Sequence, residues 1–165
     1  ELSGLLARTF GGNHYAISAP AFAPDIASRD VFLGHEHVRS VWELFDRMQT
    51  AFVGIGNVTH SVFVDRGVLS MTDLAMLREV GAVGEICGRF YDRDGQECYT
   101  NFRGRAINVG LDKLRVIPEV IGVTRGHDRA HAVIAALRGG IIKSLIIDDE
   151  GARAMLEVRD HGNSR

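Results

Sequence analysis

The 165 residues of this chain are 45% hydrophobic and 24% charged, which fits one globular domain of ordinary size and excludes two large domains. Nineteen lysines and arginines stand against 21 aspartates and glutamates, for a formal net charge of -2. This balance excludes disorder driven by charge. It also argues against nucleic-acid binding through bulk positive charge, which needs a concentrated excess of lysine and arginine.

Three features of the sequence favour a cytoplasmic protein that does not enter a membrane. No run of 18 apolar residues is present, although a helix that crosses a bilayer needs one. Cys87 and Cys98 are the two cysteines, and their spacing fits neither a disulfide framework nor a metal site. The first residues lack the pattern of a signal peptide. The chain also lacks an initiator methionine, so we expect that a segment precedes it.

Short β-branched apolar runs bounded by glycine or turn residues predict strands that are covered on both faces, as in a parallel sheet. These runs are residues 14–18, 51–56, 119–124 and 144–148. Helical patterns lie between and beyond them, at residues 35–49, 72–80, 128–137 and 149–157. Trp42 lies on the apolar stripe of the first helix and is expected in the core. Gly81 is expected to end the second helix, and Gly139 and Gly140 the third. The alternation of strands and helices predicts βα units.

The middle of the chain breaks this alternation. Residues 83–92 and 96–102 flank the turn sequence Asp92-Arg93-Asp94-Gly95, whose glycine accepts a positive φ. This pattern predicts an antiparallel excursion and a mixed sheet.

Two candidate binding loops follow predicted strands. Gly54 and Gly56 lie at the carboxyl end of the strand at 51–56, where ligands bind in open α/β sheets and where glycine lets backbone approach a ligand. A tight turn without a ligand explains the same spacing equally well. Arg129 follows Asp128 at the start of a predicted helix, where an anion could bind. Asp128 as the N-cap and a solvated Arg129 are the alternative there.

Glu85 lies in the apolar, glycine-rich stretch Val83-Gly84-Glu85-Ile86. A buried carboxylate needs a partner. The sequence leaves two partners open, an arginine in the core or the hydroxyl groups of a ligand.

Other catalytic and metal patterns are weak. His127 and His131 are four residues apart, but no HExxH motif or third ligand supports a metal. The sequence has no GxSxG elbow, and no histidine near Cys87 marks it as a nucleophile. We therefore expect no metal and no cofactor.

Five groups of residues together carry a resemblance over nearly the whole chain. They are residues 18–21, 53–56, 81–86 with Gly88, Tyr91, Asp92 and Gly95, residues 122–130, and Gly139-Gly140 with residues 145–148. In order and spacing they resemble the effector-binding domain of SorC/DeoR-type sugar-responsive transcriptional regulators.

This resemblance implies a three-layer α/β/α sandwich, similar to glucosamine-6-phosphate deaminase and ribose-5-phosphate isomerase, with a mostly parallel sheet and an antiparallel excursion. It implies a domain that binds a sugar or sugar phosphate, oligomerises, and modulates DNA binding by an N-terminal helix-turn-helix outside this chain. Carried over residue by residue, it implies sugar contacts at Glu85 and Arg129, a loop under the sugar at Gly54 and Gly56, and a further basic contact at Arg66. The family has lysine where this chain has Arg129, which keeps the charge and changes its geometry.

From the resemblance we expect an effector-binding domain over residues 1–159, without the family's first strand and phosphate loop, and a frayed tail at 160–165. Two alternatives stay open. One is a sugar-phosphate isomerase or deaminase of the same fold, with Glu85 or Asp92 as general base. The other is a purely structural dimerisation module.

Overall fold

A computed structural model describes residues 2–59 and 61–162 of the chain. The helices are α1 Leu2–Phe10, α2 Ile26–Gly34, α3 Glu36–Glu43, α4 Val62–Asp65, α5 Met71–Glu79, α6 Leu111–Val116, α7 Ala130–Arg138 and α8 Asp149–Gly162. The strands are β1 Thr50–Gly54, β2 Gly56–Asn57, β3 Gly84–Ile86, β4 Arg89–Tyr91, β5 Glu119–Val123 and β6 Ser144–Ile146. Single 3₁₀ turns at Leu44–Arg47 and His127–Arg129 complete the elements.

The first sheet is parallel and has the strand order β1-β5-β6. In its register Val53 lies opposite Gly122, and Gly122 lies opposite Leu145. Three of the four strands predicted from the sequence are thereby confirmed, each within two residues of its predicted ends. The α/β class, with parallel strands and an antiparallel excursion, is also confirmed. The specific likeness to the deaminase and the isomerase stays a prediction.

The strand predicted at residues 14–18 is wrong. That segment pairs with no strand in the part of the chain that the structure describes. It follows α1, which ends at Phe10 and is followed by Gly11 with φ 69°. The His14 ring instead lies 3.0 Å from the Ser3 hydroxyl of α1. Strand preference is weak and depends on context, and in residues 14–18 it is not accompanied by pairing with a neighbouring strand.

The second sheet is antiparallel, with the order β2-β3-β4. Its hairpin turns at Cys87 and Gly88, which both have positive φ, 54° and 74°. Two such residues are typical of the tight hairpin turn that matches strand twist. The excursion is therefore confirmed, but its main hairpin lies inside residues 83–92. The predicted turn before Gly95 also forms and returns the chain through a bridge between Tyr91 and Glu97.

Two helix predictions need correction. The helix expected over residues 35–49 ends at Glu43 and continues as a 3₁₀ turn. Trp42 is half-buried against Phe45, at 5.2 Å between ring centroids, so it is not a core residue. Asp128 is not the N-cap of α7, because a 3₁₀ turn precedes that helix and Arg129 occupies the cap position.

The remaining helix predictions agree with the structure at their centres. α5 begins at Ser70 with a capping box formed by Ser70 and Asp73, and Gly81 follows its end with φ 77°. α7 ends at Gly139, as expected. α8 continues to Gly162, and residues 163–165 of the expected frayed tail lie outside the described residues. The sequence did not predict helices α1, α2, α4 and α6. None of the described helices is long and apolar enough to cross a membrane.

The main core lies between one face of the parallel sheet, the hairpin, α6 and α7. Ala51, Val53 and Val120 point into it from β1 and β5. The opposite face of the same sheet is open, because Phe52, Val123 and Ile146 are 64%, 42% and 55% exposed. The expectation that these strands are covered on both faces is therefore wrong for the described residues. A second core cluster joins α5 to the hairpin through Leu77, Phe90 and Phe102, among other residues.

Tyr91 fixes the hairpin to α7. Its ring is fully buried, and its hydroxyl donates a 3.1 Å hydrogen bond to the Ala132 carbonyl. The ring occupies the space beside Gly84, where a Cβ would lie 2.4 Å from the Tyr91 hydroxyl oxygen. Only glycine fits at position 84 without displacing the tyrosine.

Gly84→Ala is expected to lower the free energy of unfolding by about 2 kcal/mol or more, because overpacking of a closed core costs about 1–3 kcal/mol. Gly54→Ala is the matched control in a strand, since a Cβ there meets nothing within 4 Å. Urea unfolding of both variants measures the difference. Equal stability of the two variants would contradict the packing of Tyr91 against Gly84.

Candidate functional site

A cleft with a volume of about 630 Å³ lies where strands of both sheets end. Its size is within the range of pockets that bind small molecules. Its lining residues are Gly54, Ile55, Gly56, Phe63, Glu85, Cys87, Val123, Thr124, Arg125 and Arg129. Four of the five site residues expected from the sequence are thus brought to one place.

The floor of the cleft is formed by the carboxyl ends of two parallel neighbours, β1 and β5. Gly54 and Val123 are the last residues of these strands and lie opposite each other in the register. The Thr124 hydroxyl donates a 3.2 Å hydrogen bond to the Ile55 carbonyl, which ties the two following loops together. The crevice outside such strand ends is the usual ligand position in open α/β sheets.

Glu85 forms one wall of the cleft. It lies on β3 opposite Gly56 and is 9% exposed. One carboxylate oxygen accepts a hydrogen bond from the Gly88 backbone N–H. A Cβ at Gly56 would lie 2.9 Å from the other carboxylate oxygen of Glu85, so glycine at position 56 avoids a steric clash with the carboxyl group.

The partner of Glu85 is therefore a backbone amide within its own hairpin. The neighbouring buried arginine, Arg89, donates instead to Asn108, to Glu97 and to the Arg103 carbonyl. Burial raises the pKa of Glu85 from its ordinary 4.5 to about 7, although the Gly88 N–H works in the opposite direction. At neutral pH Glu85 can therefore act as an acceptor or, when protonated, as a donor.

Arg129 lies in a different part of the cleft and is held in place by two acceptors. Its guanidinium donates to the Arg125 carbonyl at 2.9 Å and to Asp128 Oδ1 at 3.0 Å. Asn57 in turn donates from Nδ2 to the Asp128 carbonyl and to Oδ2, both at 2.9 Å. β2 and the 3₁₀ turn before α7 are thereby joined, and the arginine is ordered by contacts within the protein.

Two other predicted residues lie elsewhere. Arg66 is exposed after α4 and is not among the described residues that line the cleft. Asp92, the alternative general base, turns into its own loop, where Oδ1 accepts from the N–H groups of Asp94 and Gln96. Among the described residues that line the cleft, Glu85 is therefore the one with a carboxyl group.

Sequence reasoning missed Phe63, Cys87, Thr124 and Arg125 as lining residues. Thr124 and Arg125 directly follow β5, so the rule that ligands lie beyond strand ends could have found them. The sequence gives no comparable signal for Phe63 or Cys87. Burial and the neighbouring Glu85 charge raise the pKa of Cys87 to about 12, which keeps the thiol protonated. A protonated thiol is a poor nucleophile.

Within the ranges that the structure describes, no three histidine, cysteine, aspartate or glutamate side chains come together as metal ligands. His127, one of the pair considered for a metal, lies 2.7 Å through Nδ1 from Glu150 Oε1 on the exposed surface.

Comparison with known proteins identifies the family of this α/β domain. The family model Sugar-bind, described as "Putative sugar-binding domain", matches residues 1–157. The chain belongs to this family. The resemblance to SorC/DeoR-type regulators inferred from the sequence is thereby confirmed.

Relatives of this Sugar-bind chain are named as transcriptional regulators. It is 29% identical over 157 residues to the uncharacterized transcriptional regulator YjhU of Escherichia coli, covering 94% of this chain and 48% of that protein. It is 28% identical over 161 residues to the sorbitol operon regulator of Klebsiella pneumoniae, covering 93% and 49%. A solved DeoR family transcriptional regulator from Listeria monocytogenes has a TM-score of 0.86 at 27% identity, covering 91% of this chain and 61% of that one. The chain thus spans about half the length of these curated relatives.

The raised pKa of Glu85 predicts a pH-dependent stability for this Sugar-bind chain. The folded state binds this proton more tightly than the unfolded state, so the contribution of Glu85 to the free energy of unfolding is fully present below pH 4.5 and is lost as the pH rises through about 7. The loss is ~3 kcal/mol, at about 1.4 kcal/mol for each pKa unit. Glu85→Gln removes the ionisation, so its melting temperature relative to wild type is expected to rise by ~6–12 °C between pH 5 and pH 8.

Glu79→Gln, an exposed position on α5, is the matched control. Thermal unfolding monitored by circular dichroism at both pH values makes the comparison. If the Glu85→Gln curve ran parallel to wild type across this range, Glu85 would not be the group that titrates near neutrality.

Proposed function

We propose that residues 1–159 are part of the effector-binding domain of a transcriptional regulator, and that the cleft binds a sugar or sugar phosphate. In this proposal a helix-turn-helix outside the chain binds operator DNA, the domain oligomerises, and the regulator works in the cytoplasm. The relatives named as regulators support this, and the sorbitol operon regulator favours a polyhydroxylated ligand.

The observation that carries the proposal is the convergence of Glu85, Arg129, Gly54 and Gly56 on one cleft. A carboxyl group binds two neighbouring hydroxyl groups well, and a guanidinium binds hydroxyl or phosphate oxygens. The two glycines leave the backbone accessible under the ligand. These groups come from three segments that are distant in sequence, and together they are suited to a small polar ligand.

Sensing requires that the ligand binds two forms of the regulator with different affinity, because only differential affinity can shift an equilibrium between them. Arg129 lies at the junction of the β5 loop and α7, held by the Arg125 carbonyl. Glu85 lies on the hairpin that Tyr91 fixes to α7. A ligand that contacts both residues therefore links the hairpin to the β5 loop across the cleft. In an oligomer, a change in the relative position of these two segments could be transmitted to the other subunits.

A catalytic role is less well supported than binding. Isomerisation of a sugar phosphate needs positioned groups that remove and return a proton. Glu85 has a suitable pKa of about 7, but Asp92, the other candidate base, is directed into its own turn. We therefore propose a binding domain without turnover.

A thermal-shift screen against matched free and phosphorylated sugars tests the proposal. A ligand at about 100 times its Kd stabilises by ~2.7 kcal/mol, which corresponds to ~5–10 °C for a domain of this size. Arg129→Gln and Glu85→Gln are expected to abolish most of this shift, because each removes a charged contact. Glu79→Gln and Arg78→Gln, adjacent exposed residues of α5, are the matched controls and are expected to keep it.

Nuclear magnetic resonance spectra of the bound sugar phosphate recorded over hours provide the second readout. Binding without conversion is the expected result. Conversion that Glu85→Gln abolishes would establish the enzyme instead, and absence of any shift across the screen would contradict the sensing role.

A further inference from the structure

Arg125 is a cation of the cleft that the resemblance does not assign. It follows Thr124 at the end of β5, its side chain is exposed, and it lines the cleft. Its carbonyl accepts the hydrogen bond that orders Arg129. Among the residues that the structure describes, its guanidinium has neither a hydrogen bond nor an ion pair within 4.0 Å. The backbone of Arg125 thus has a structural role, while its side chain is available to a ligand.

The two arginines of the cleft differ in how their charges are compensated. Arg129 is paired with Asp128 at 3.0 Å, and both side chains are about 28% exposed. The Arg125 charge acts on Asp148, whose pKa is lowered mainly by backbone hydrogen bonds and to a smaller extent by Arg125. The Asp148 carboxylate already accepts hydrogen bonds from the N–H groups of Gly126 and Gly151, at 2.9 and 3.1 Å. Arg125 therefore contributes to the cleft a positive charge that is not paired with an acid within 4.0 Å among the described residues.

Glu85 is the acidic group of the same cleft, yet no ion pair within 4.0 Å joins it to Arg125 or Arg129 among the described residues. Its own hydrogen bond goes to the Gly88 N–H. Opposite charges that share a cleft without contact leave space between them. A ligand with complementary ends can fill this space, with hydroxyl groups at Glu85 and an anionic group at the guanidinium groups.

We propose that Arg125 is a specificity-determining residue that selects ligands carrying an anionic group, phosphate or carboxylate, on a polyhydroxylated body. The proposal rests on the proposed function, which allows a free sugar or a sugar phosphate, and assigns to Arg125 the choice between neutral and anionic ligands. Arg125 supplies the charge for the anionic group, and Arg129, already ordered by Asp128, supplies directed hydrogen bonds. The neutral parent sugar makes the Glu85 contact but leaves Arg125 without a partner.

Calorimetric titration of the 165-residue chain with three matched ligands tests this assignment. Glucitol is the neutral member, glucitol 6-phosphate carries a phosphate, and gluconate carries a carboxylate; fructose and fructose 6-phosphate form a second pair. Wild type is expected to bind the anionic members more tightly. Arg125→Gln is expected to weaken their binding by about tenfold to a hundredfold, the usual range for a hydrogen bond to a charged group, and to leave neutral ligands unchanged.

Two further variants separate charge from structure. Arg125→Lys keeps the charge and is expected to retain part of the preference for anionic ligands. Arg78→Gln, which removes an exposed arginine outside the cleft, is expected to behave as wild type. The melting temperatures of the unliganded variants are expected to match wild type, because substitution at position 125 leaves the backbone carbonyl that holds Arg129. Salt is expected to weaken anionic ligand binding less in Arg125→Gln than in wild type.

The outcomes distinguish this inference from the proposed function. If anionic ligands bind equally well to Arg125→Gln and Arg78→Gln, the role of Arg125 is overturned while sugar binding stands. If Arg125→Gln weakens neutral and anionic ligands equally, its role is structural and the proposal is also overturned. If none of the five ligands binds to wild type, the proposed function itself fails. A preference for phosphate over carboxylate, or the reverse, identifies which anion the site takes.

Discussion

The contact between Tyr91, Gly84 and Ala132 determines where the two walls of the cleft lie. The Tyr91 ring fills the space that a side chain at position 84 would need, and its hydroxyl reaches the α7 backbone at 3.1 Å. The hairpin that carries Glu85 is thus fixed to the helix that follows the Arg129 turn. Because the ring is fully buried, a change in this contact would move the two walls relative to each other.

Polar groups around the cleft are ordered before any ligand is present, which lowers the entropy cost of binding. Asn57 holds Asp128, and Asp128 holds Arg129, so a chain of hydrogen bonds connects the second sheet to the turn before α7. For Glu85 the fixed, buried position costs free energy, because burial disfavours the charged form of the carboxyl group. A ligand hydroxyl that donates to the carboxylate would offset part of that cost, so binding and protonation of Glu85 are linked.

Sequence patterns predicted the parallel strands well, because β-branched runs between glycines are a local signal and all three runs find a neighbour. The same signal failed at residues 14–18, which pair with no strand among the described residues. The hairpin was displaced for a related reason. Residues 92–95 are the usual turn residues, whereas cysteine is a residue type that rarely adopts the positive φ found at Cys87. Core packing on both sides of the hairpin, rather than local preference, places the turn at Cys87.

For the candidate site, the sequence by itself determined which residue types are available and where they lie relative to the predicted strands and helices. Gly54, Gly56, Glu85 and Arg129 could be selected because glycines at strand ends, a carboxylate in an apolar run and a basic residue at a helix start are each unusual. Only the tertiary structure decided how these groups are used. It paired Glu85 with the Gly88 amide instead of Arg89, left Arg66 outside the cleft, and brought Arg125 into it. The physical reason is that the hydrogen-bond partners and the walls of the cleft come from segments far apart in the chain. The local sequence does not determine which of these segments come into contact.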